Sequence, residues 1–371
     1  MNDDEKNKNI DTDEDIIEKN QFKYIKKFGG GGFGCVILAE KENENRKYAI
    51  KVIRPKNDKK LEIENVREFR GRNIVKIMQE IYDKKKNDYY LYVMEPSFIG
   101  CLKDFNKYLN ESLIFKETFV EEFGDDLMRF FVMQLVNAFR TFYQGNYVHF
   151  DIKPDNILIF KNLEVKIIDF SFLKKLKPGY RDGIPGGTYG YTTPEYYKSI
   201  NSHDNESLQK QDYYALGAVI YYLKYGTRLV EDNSIYDSQN KKIRNDYMDL
   251  NNITESIDKG LNRIKTEKYQ DKDFSDFLCS LIQFKPYERA NFESIIRNKW
   301  LNKNKKEINK ILNINLADED NIVLELRKSD FLINNTKSYR NEKFDERYNN
   351  EKENKKYKQV RKGKFKFGRR K

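Results

Sequence analysis

Apolar and polar positions change their period part-way along the chain, and the change divides it into a strand-rich beginning and a helix-rich continuation. Phe22-Lys23-Tyr24-Ile25-Lys26-Lys27-Phe28 alternates as a half-buried strand does. Cys35-Val36-Ile37-Leu38-Ala39 and Tyr48-Ala49-Ile50-Lys51-Val52-Ile53 follow as two more strands, with glycines before the second and a polar turn, Lys41 to Lys47, before the third. Spacings this short predict antiparallel neighbours in a small sheet. Leu61 to Arg70 reads as a helix, and Tyr89 to Val93 as a further strand that runs through Met94-Glu95-Pro96-Ser97 into a loop. The later segments are helical. Leu127 to Tyr143 carries apolar residues at 127, 130, 131, 132, 135, 136, 139 and 142, a broad stripe that predicts a largely buried helix. Asp212 to Tyr225 is apolar nearly all round, the pattern of a helix covered on every side.

The two ends read differently. Residues 1–20 are polar, charged and rich in Asn, a composition that predicts disorder. Residues 302–371 carry Ile308, Ile311, Leu312, Leu316, Ile322, Val323, Leu324 and Leu326 early on, which predicts some helix, and end in a basic tail at 355–371.

Composition narrows the class. The chain has 371 residues, 38% hydrophobic and 14% aromatic, enough to bury the core of one large domain or of two lobes. No apolar run reaches 18 residues, so no transmembrane helix is expected. Met1-Asn2-Asp3-Asp4-Glu5 lacks the basic-then-apolar order of a signal peptide. Three cysteines, Cys35, Cys101 and Cys279, suggest no disulfide framework and predict a reducing compartment, cytoplasmic or nuclear. With only His149 and His203 and no close Cys pair, a zinc site is not expected.

The net charge of +11 is uneven. Residues 355–371 hold ten Lys or Arg and no acid, which leaves the rest of the chain at about +1. Residues 1–20 carry eight acids and three Lys. Cations interleaved with aromatics in the tail suit contact with nucleic acid or an anionic membrane, and equally suit a solvated tail.

Candidate chemistry concentrates in Tyr147-Val148-His149-Phe150-Asp151-Ile152-Lys153-Pro154-Asp155-Asn156-Ile157-Leu158-Ile159, polar groups held between apolar runs. Asp151 can accept a proton, Lys153 can neutralise a developing anion, and Asn156 can offer a carbonyl oxygen to a divalent cation. These are the parts of phosphoryl transfer, where positioning and charge stabilisation do most of the catalysis. Three other features are weak alone. The glycines at 29, 31 and 34 fit a flexible turn as well as a phosphate cradle, although their setting between two strands disfavours a dinucleotide fingerprint. Lys51 alone is a solvated strand lysine. Asp169, ending the apolar run Val165-Lys166-Ile167-Ile168, alone is a cap.

In this order and at these spacings, the motifs resemble the eukaryotic protein kinase superfamily, Ser/Thr type. The resemblance implies an α+β, bilobal fold: a small antiparallel β-sheet lobe with one helix at 21–95 and a larger, mainly helical lobe at 96–301. It implies ATP and Mg2+ as cofactors and a protein substrate with a Ser or Thr acceptor. Asp151, Lys153 and Thr188 would then be catalytic, Thr188 standing in Gly187-Thr188-Tyr189-Gly190-Tyr191-Thr192-Thr193-Pro194-Glu195. Asn156 and Asp169 would hold the metal. ATP would be met by Gly29, Gly31, Phe33, Gly34, Val36, Ala49, Lys51, Met94, Glu95, Ser97 and Leu158. Lys51 also needs a carboxylate, and of the three glutamates on the 61–70 helix Glu62 shares a face with Val66 and Phe69, whereas Glu64 and Glu68 point away. Pro96 has no amide hydrogen, so the donor to adenine is expected at Ser97 or nearby. Arg289, in Pro286-Tyr287-Glu288-Arg289, is expected to pair with Glu195, and Trp300 to close the domain.

Two positions depart from the family pattern. Phe150 stands where an Arg is usual, and Ser171 where the family has Gly after Asp169-Phe170. Between Asp169 and Thr188 the only hydroxyl side chains are Ser171 and Tyr180. An Arg before the catalytic Asp grips a phosphate on the activation segment. Its absence beside so few acceptors suggests activity that needs no such phosphate. A pseudokinase binding module and a Wee-like dual-specificity or tyrosine kinase are the alternatives. Oligomeric state is not legible.

Overall fold

The computed structural model describes residues 12–31, 34–53, 71, 73–83, 89–97, 100–105, 121–160, 163–177, 184–197, 205–231, 250–267 and 271–303. All of these fall within the unit Met1–Leu324. The 61–70 helix with Glu62, the turn residue Phe33, and residues 304–371 with the basic tail lie outside the described residues.

Five strands form one antiparallel sheet: β1 (Phe22–Gly31), β2 (Gly34–Lys41), β3 (Arg46–Ile53), β4 (Ile77–Asp83) and β5 (Tyr89–Met94), in the order β1-β2-β3-β5-β4. Strand alternation builds two different faces from the same residues. Ile50 and Val52 of β3 and Leu91 and Val93 of β5 enter one buried cluster with Ile37 and Phe22. Ile53, Tyr90 and Tyr92, displaced by one position, enter a second cluster with Ile77 on the opposite side. Lys51 therefore points away from the first core and toward the cleft. The strand β4 was not read from the sequence; it is a sheet edge, with Met78 and Tyr82 exposed, so its apolar run is not one-sided.

The expectation of disorder over 1–20 is corrected for its second half. Asp13–Lys19 is a helix, α1, opened by a reciprocal Thr12–Asp15 capping box. Ile16 and Ile17 are fully buried in the first sheet cluster. Seven residues are too few to hold a helix in water alone. The sheet face supplies what local composition lacks, and an average over twenty charged residues hides the two isoleucines.

Past the sheet comes the short strand β6 (Gly100–Cys101), and then the long helix α2 (Glu121–Gly145), which extends the expected 127–143 helix at both ends. Asn146, at φ +55°, turns the chain back into β7 (Tyr147–Val148). The hairpin β8 (Ile157–Ile159) and β9 (Val165–Ile167) joins β6 in a second sheet, and β10 (Lys174–Lys175) pairs with β7. The helices α3 (Pro194–Tyr197), α4 (Asn205–Tyr225), α5 (Leu250–Thr266), α6 (Lys272–Leu281), α7 (Phe292–Ile296) and α8 (Lys299–Asn302) complete the described chain. The helix α4 starts before the expected Asp212–Tyr225 segment and is buried without a break from Leu208 to Tyr221, the polar Gln209, Lys210 and Gln211 included. Trp300 is fully buried against Phe274 and Phe277, with the Arg129 guanidinium over its ring. Among the described residues no helix is long and apolar enough to cross a membrane.

Sheet and helices are joined through a few buried polar bonds. Asn73, at φ +63°, gives its side-chain nitrogen to Gln134 of α2 and to the Val165 carbonyl, each at 2.9 Å. Gln134 in turn accepts from the Val165 amide at 3.0 Å, and the Val75 amide donates to Ile167. These bonds fix the end of β9 against the segment that enters β4.

Candidate active site

The stretch from His149 to Asn156 is held from beneath by Asp212. This residue lies in the apolar helix α4, and its carboxylate accepts the backbone N–H of His149 at 2.7 Å and of Phe150 at 2.9 Å. Burial pushes the Asp212 carboxyl up to about 7, against the two amides that favour its charge. With both amides captured, Phe150 takes φ +64°, an uncommon conformation for a bulky residue, and the chain turns into Asp151, whose side chain is buried. The His149 ring is buried between Phe142 and Phe170. Its Nδ1 accepts from the Asp151 amide at 3.2 Å, which assigns the hydrogen to Nε2, 3.1 Å from the Ile168 carbonyl. Burial lowers the His149 pKa and keeps it a neutral structural pivot.

Three predicted residues meet at the Asp151 carboxylate. Thr188 Oγ1 donates to Oδ1 at 2.6 Å, Lys153 Nζ donates to Oδ2 at 2.8 Å, and Asn156 Nδ2 donates to Oδ2 at 2.9 Å. Lys153 also reaches Thr188 Oγ1 at 2.7 Å, closing a triangle. Asn156 Nδ2 bonds the Asp151 carbonyl too, at 2.9 Å, so its amide nitrogen faces the loop and its side-chain oxygen is turned away from that carboxylate. Thr188 can come this close because Gly187 precedes it: at φ +146°, a Cβ there would lie 2.9 Å from the Phe150 carbonyl and 2.5 Å from Thr192 Oγ1.

Asn156 and Asp169 are brought together by register. The β8–β9 hairpin pairs Ile157 with Ile167, and Ile168 donates to the Asn156 carbonyl at 2.9 Å, so both residues emerge at the same hairpin end. Asp169, at φ +63°, turns its carboxylate to Lys51, whose Nζ lies 2.7 Å from Oδ1. Burial alone would raise the Asp169 pKa, but the Lys51 ammonium beside it and the Ser171 hydroxyl bonded to it hold the carboxyl at about 2. Ser171 also lies 3.3 Å from Lys51 Nζ. The residue that departs from the family pattern thus ties the carboxylate and the ammonium together.

The remaining predicted residues are placed by the strands that carry them and by the loop after β5. The β1–β2 ladder continues through Gly29↔Val36 to Gly31↔Gly34, which places the glycines in the last rungs and the turn itself. Gly34 is at φ +122°, and a Cβ there would stand 2.2 Å from the Val52 carbonyl. Ala49 pairs with Met94 across β3 and β5. Lys51, Val75, Ile77, Tyr92, Met94, Asp169 and Phe170 line a small pocket behind Met94. Leu158 is half-buried on β8, between Cys101 and Lys166. Two hinge side chains are directed elsewhere: Glu95 is ion-paired with Lys166 of β9, and the Ser97 hydroxyl bonds the Ile159 carbonyl at 2.8 Å and the Gly100 amide at 3.0 Å. Those two side chains brace the loop that follows β5.

Below the site, Arg289 forms a buried bidentate pair with Glu195, at 2.5 and 2.7 Å, as expected from the sequence. Gln211 donates to the same carboxylate at 2.7 Å, and the Arg289 guanidinium also bonds the Gln283 and Phe284 carbonyls. Phe150 is buried with Val148, Leu176 and Leu208, and Phe172 and Ile184 pack against that cluster. The position where the family carries an Arg is therefore the centre of an apolar contact with the segment after Asp169.

Sequence reasoning missed Asp212 and Asn73 as supports of the site. Asp212 had a signal, an acid directly before the apolar run Tyr213 to Leu223. The model of the protein kinase domain matches residues 22–301, well over half of the chain. The chain belongs to the protein kinase domain family. It is 25% identical over 280 residues to the serine/threonine-protein kinase PLK4 of Drosophila virilis, an alignment covering 74% of this chain and 32% of that protein. To the serine/threonine-protein kinase MRCK beta of Rattus norvegicus it is 26% identical, covering 61% of this chain and 13% of the relative. To the Aurora kinase of Schizosaccharomyces pombe it is 26% identical over 292 residues, 76% of this chain and 72% of the relative. The kinase domain here thus spans about a third or less of the length of the first two relatives.

Proposed function

We propose that this protein kinase domain transfers the γ-phosphoryl group of ATP to Ser or Thr hydroxyls of a protein substrate. The observation that carries the reading is the triangle of Asp151, Lys153 and Thr188, with Lys153 and Thr188 both hydrogen-bonded to the Asp151 carboxylate. In this reading Asp151 orients the acceptor hydroxyl and takes its proton as the oxygen bonds to the γ-phosphorus and the bond to ADP breaks. Lys153 offsets charge on the transferring group, and Thr188 fixes both side chains. Lys51 draws in the phosphates while the glycine backbone covers them.

The donor set fits Mg2+. A carboxamide oxygen at Asn156 and a carboxylate at Asp169 are hard oxygen ligands and few, as suits an ion that keeps waters and takes phosphate oxygens. Among the described residues there is no group of three or more His, Cys, Asp or Glu able to hold a metal alone. When bound, the ion would neutralise phosphate charge during transfer.

The apolar setting of Phe150 supports a finer proposal: activity does not depend on a phosphate in the activation segment. Val148, Leu176 and Leu208 surround the position from which an Arg would reach such a phosphate. A binding module without catalysis, the alternative suggested by Phe150 and Ser171, is less well supported, since Ser171 bonds Asp169 rather than displacing it. The basic tail 355–371 remains a proposed contact for nucleic acid or an anionic membrane, and salt-sensitive binding lost on its deletion is the observation that would support it.

The test is transfer of radiolabel from ATP to a generic basic protein. Wild type is expected to label Ser and Thr, and Asp151→Asn to lose the signal. Magnesium-dependent ATP binding without any transfer would overturn the reading in favour of a binding module. Phosphatase treatment is expected to leave activity intact, and its loss with recovery on rephosphorylation would overturn the proposal about Phe150.

A further inference from the structure

Helix α1 makes one contact on the face of the sheet opposite the cleft that bears on the glycine turn. Asp13, its first residue, reaches both strands of the turn with one oxygen: Lys27 Nζ of β1 lies 3.2 Å from Oδ2, and Cys35 Sγ of β2 lies 3.0 Å from it. Lys27 stands two residues before Gly29 and Cys35 one residue after Gly34. Between these points the ladder runs through Gly29, Gly30 and Gly31, which have no side chains with which to fix it. Cys35 is buried in the outer cluster, whereas Val36 next to it projects to the other face. The Asp13 carboxylate therefore bridges the two strands from behind at the last rungs that carry side chains.

The carrier of that carboxylate is itself anchored. Ile16 and Ile17 are buried under the sheet, the Thr12–Asp15 box closes the helix start, and Asn20 donates to the Tyr89 hydroxyl at 2.9 Å. A carboxylate on a docked helix holds its partners at lower entropic cost than one on a loose arm.

We propose that Asp13 is a positioning residue for the nucleotide-covering turn: it clamps β1 to β2 through Lys27 and Cys35 so that the backbone amides of Gly29–Gly31 and Gly34 are set for phosphate. The proposal rests on the kinase reading for its consequence, although the clamp itself does not depend on catalysis. A bonded ion pair at a partly exposed site predicts a change of roughly three- to tenfold in nucleotide affinity.

The test uses the full chain and the variants Asp13→Ala, Asp13→Asn and Lys27→Ala. Amide hydrogen exchange without nucleotide is read over residues 28–31 and 34–37, with β5 as internal control, and the Kd for Mg-ADP and the KM for ATP are measured. Asp13→Ala is expected to speed exchange at those rungs but not in β5, and to raise Kd and KM about three- to tenfold at unchanged kcat. Asp13→Asn, which keeps an acceptor oxygen, is expected to fall between Asp13→Ala and wild type. Lys27→Ala alone is expected to repeat the effect of Asp13→Ala in part, and in the double variant with Asp13→Ala to add nothing to it. Wild-type exchange and affinity in Asp13→Ala would overturn the clamp. A wild type that binds nucleotide without phosphoryl transfer would instead overturn the kinase reading, and the exchange result would still decide the clamp.

Discussion

Thr188 Oγ1 donates a 2.6 Å hydrogen bond to Asp151 Oδ1 across 37 residues of chain. The bond ties the end of the activation segment to the residue read as the catalytic base, and Lys153 at 2.7 Å from the same hydroxyl makes it part of a closed set. Removing the hydroxyl leaves the Asp151 carboxylate one donor short. Thr188→Ala is expected to lower kcat about a hundredfold with little change in the KM for ATP. Thr188→Ser, which keeps the hydroxyl, is expected to recover most of the loss. Steady-state kinetics on one peptide substrate separates these outcomes; equal defects in both variants would mean that the methyl, not the hydrogen bond, carries the role.

Phe150 supplies a core contact rather than a charge. Phe150→Ala opens a cavity between Val148, Leu176 and Leu208 and is expected to destabilise the domain by about 3 kcal/mol. Phe150→Arg is expected to be at least as harmful, because a guanidinium there is desolvated among Val148, Leu176 and Leu208. Urea unfolding with both variants is the check. A wild-type unfolding midpoint in Phe150→Arg would show that the pocket opens to solvent.

The Glu195–Arg289 pair holds α3 to the turn Pro286–Glu288 from a fully desolvated position. Arg289→Ala leaves a buried carboxylate without its cation, with the Gln211 amide still bonded to it, and is expected to cost about 3–5 kcal/mol in unfolding free energy. Arg289→Lys is expected to recover only part of it, since an ammonium cannot make the bidentate contact and also reach Gln283 and Phe284.

Asp212 predicts a pH dependence. Its carboxyl is pushed up from 3.8 to about 7 in the fold by burial, with the nearby Asp151 charge acting in the same direction. Between those values the folded protein keeps a proton that the unfolded chain has lost, so this group's contribution falls as pH rises through the window. Asp212→Asn does not titrate. Wild type is therefore expected to lose more stability than Asp212→Asn between about pH 5 and about pH 7.5 in paired urea titrations. Parallel profiles would show that the two backbone amides keep the carboxylate charged throughout.

Much of the site was legible because its chemistry is written in short spacings. Asp151, Lys153 and Asn156 lie close together in the chain, so their nearness follows from spacing, although Asp212 holds the turn that leads into them. Lys51 was reached through the family resemblance, since by itself it reads as a solvated strand lysine; in the fold strand alternation sends it to the face opposite Ile50 and Val52. The Glu195–Arg289 pair, 94 residues apart, was reached through the family motif and not through periodicity. The hinge was only half legible. Glu95 and Ser97 follow β5 as expected, but their side chains turn to Lys166, Ile159 and Gly100, partners that no local pattern names.

By itself the sequence determined the strand and helix periods, the order of the chemical groups and the resemblance that orders them. Those properties depend on neighbours within a few residues, which the chain order contains. Tertiary structure alone decided that α1 forms, that Asp212 holds the amides of His149 and Phe150, and that Asp13 bridges the strands of the glycine turn. Each depends on a surface assembled from distant segments. Ile16 and Ile17 gain nothing from a helix until the sheet exists to bury them, and Asp212 is an isolated charge until His149 and Phe150 turn their amides toward it.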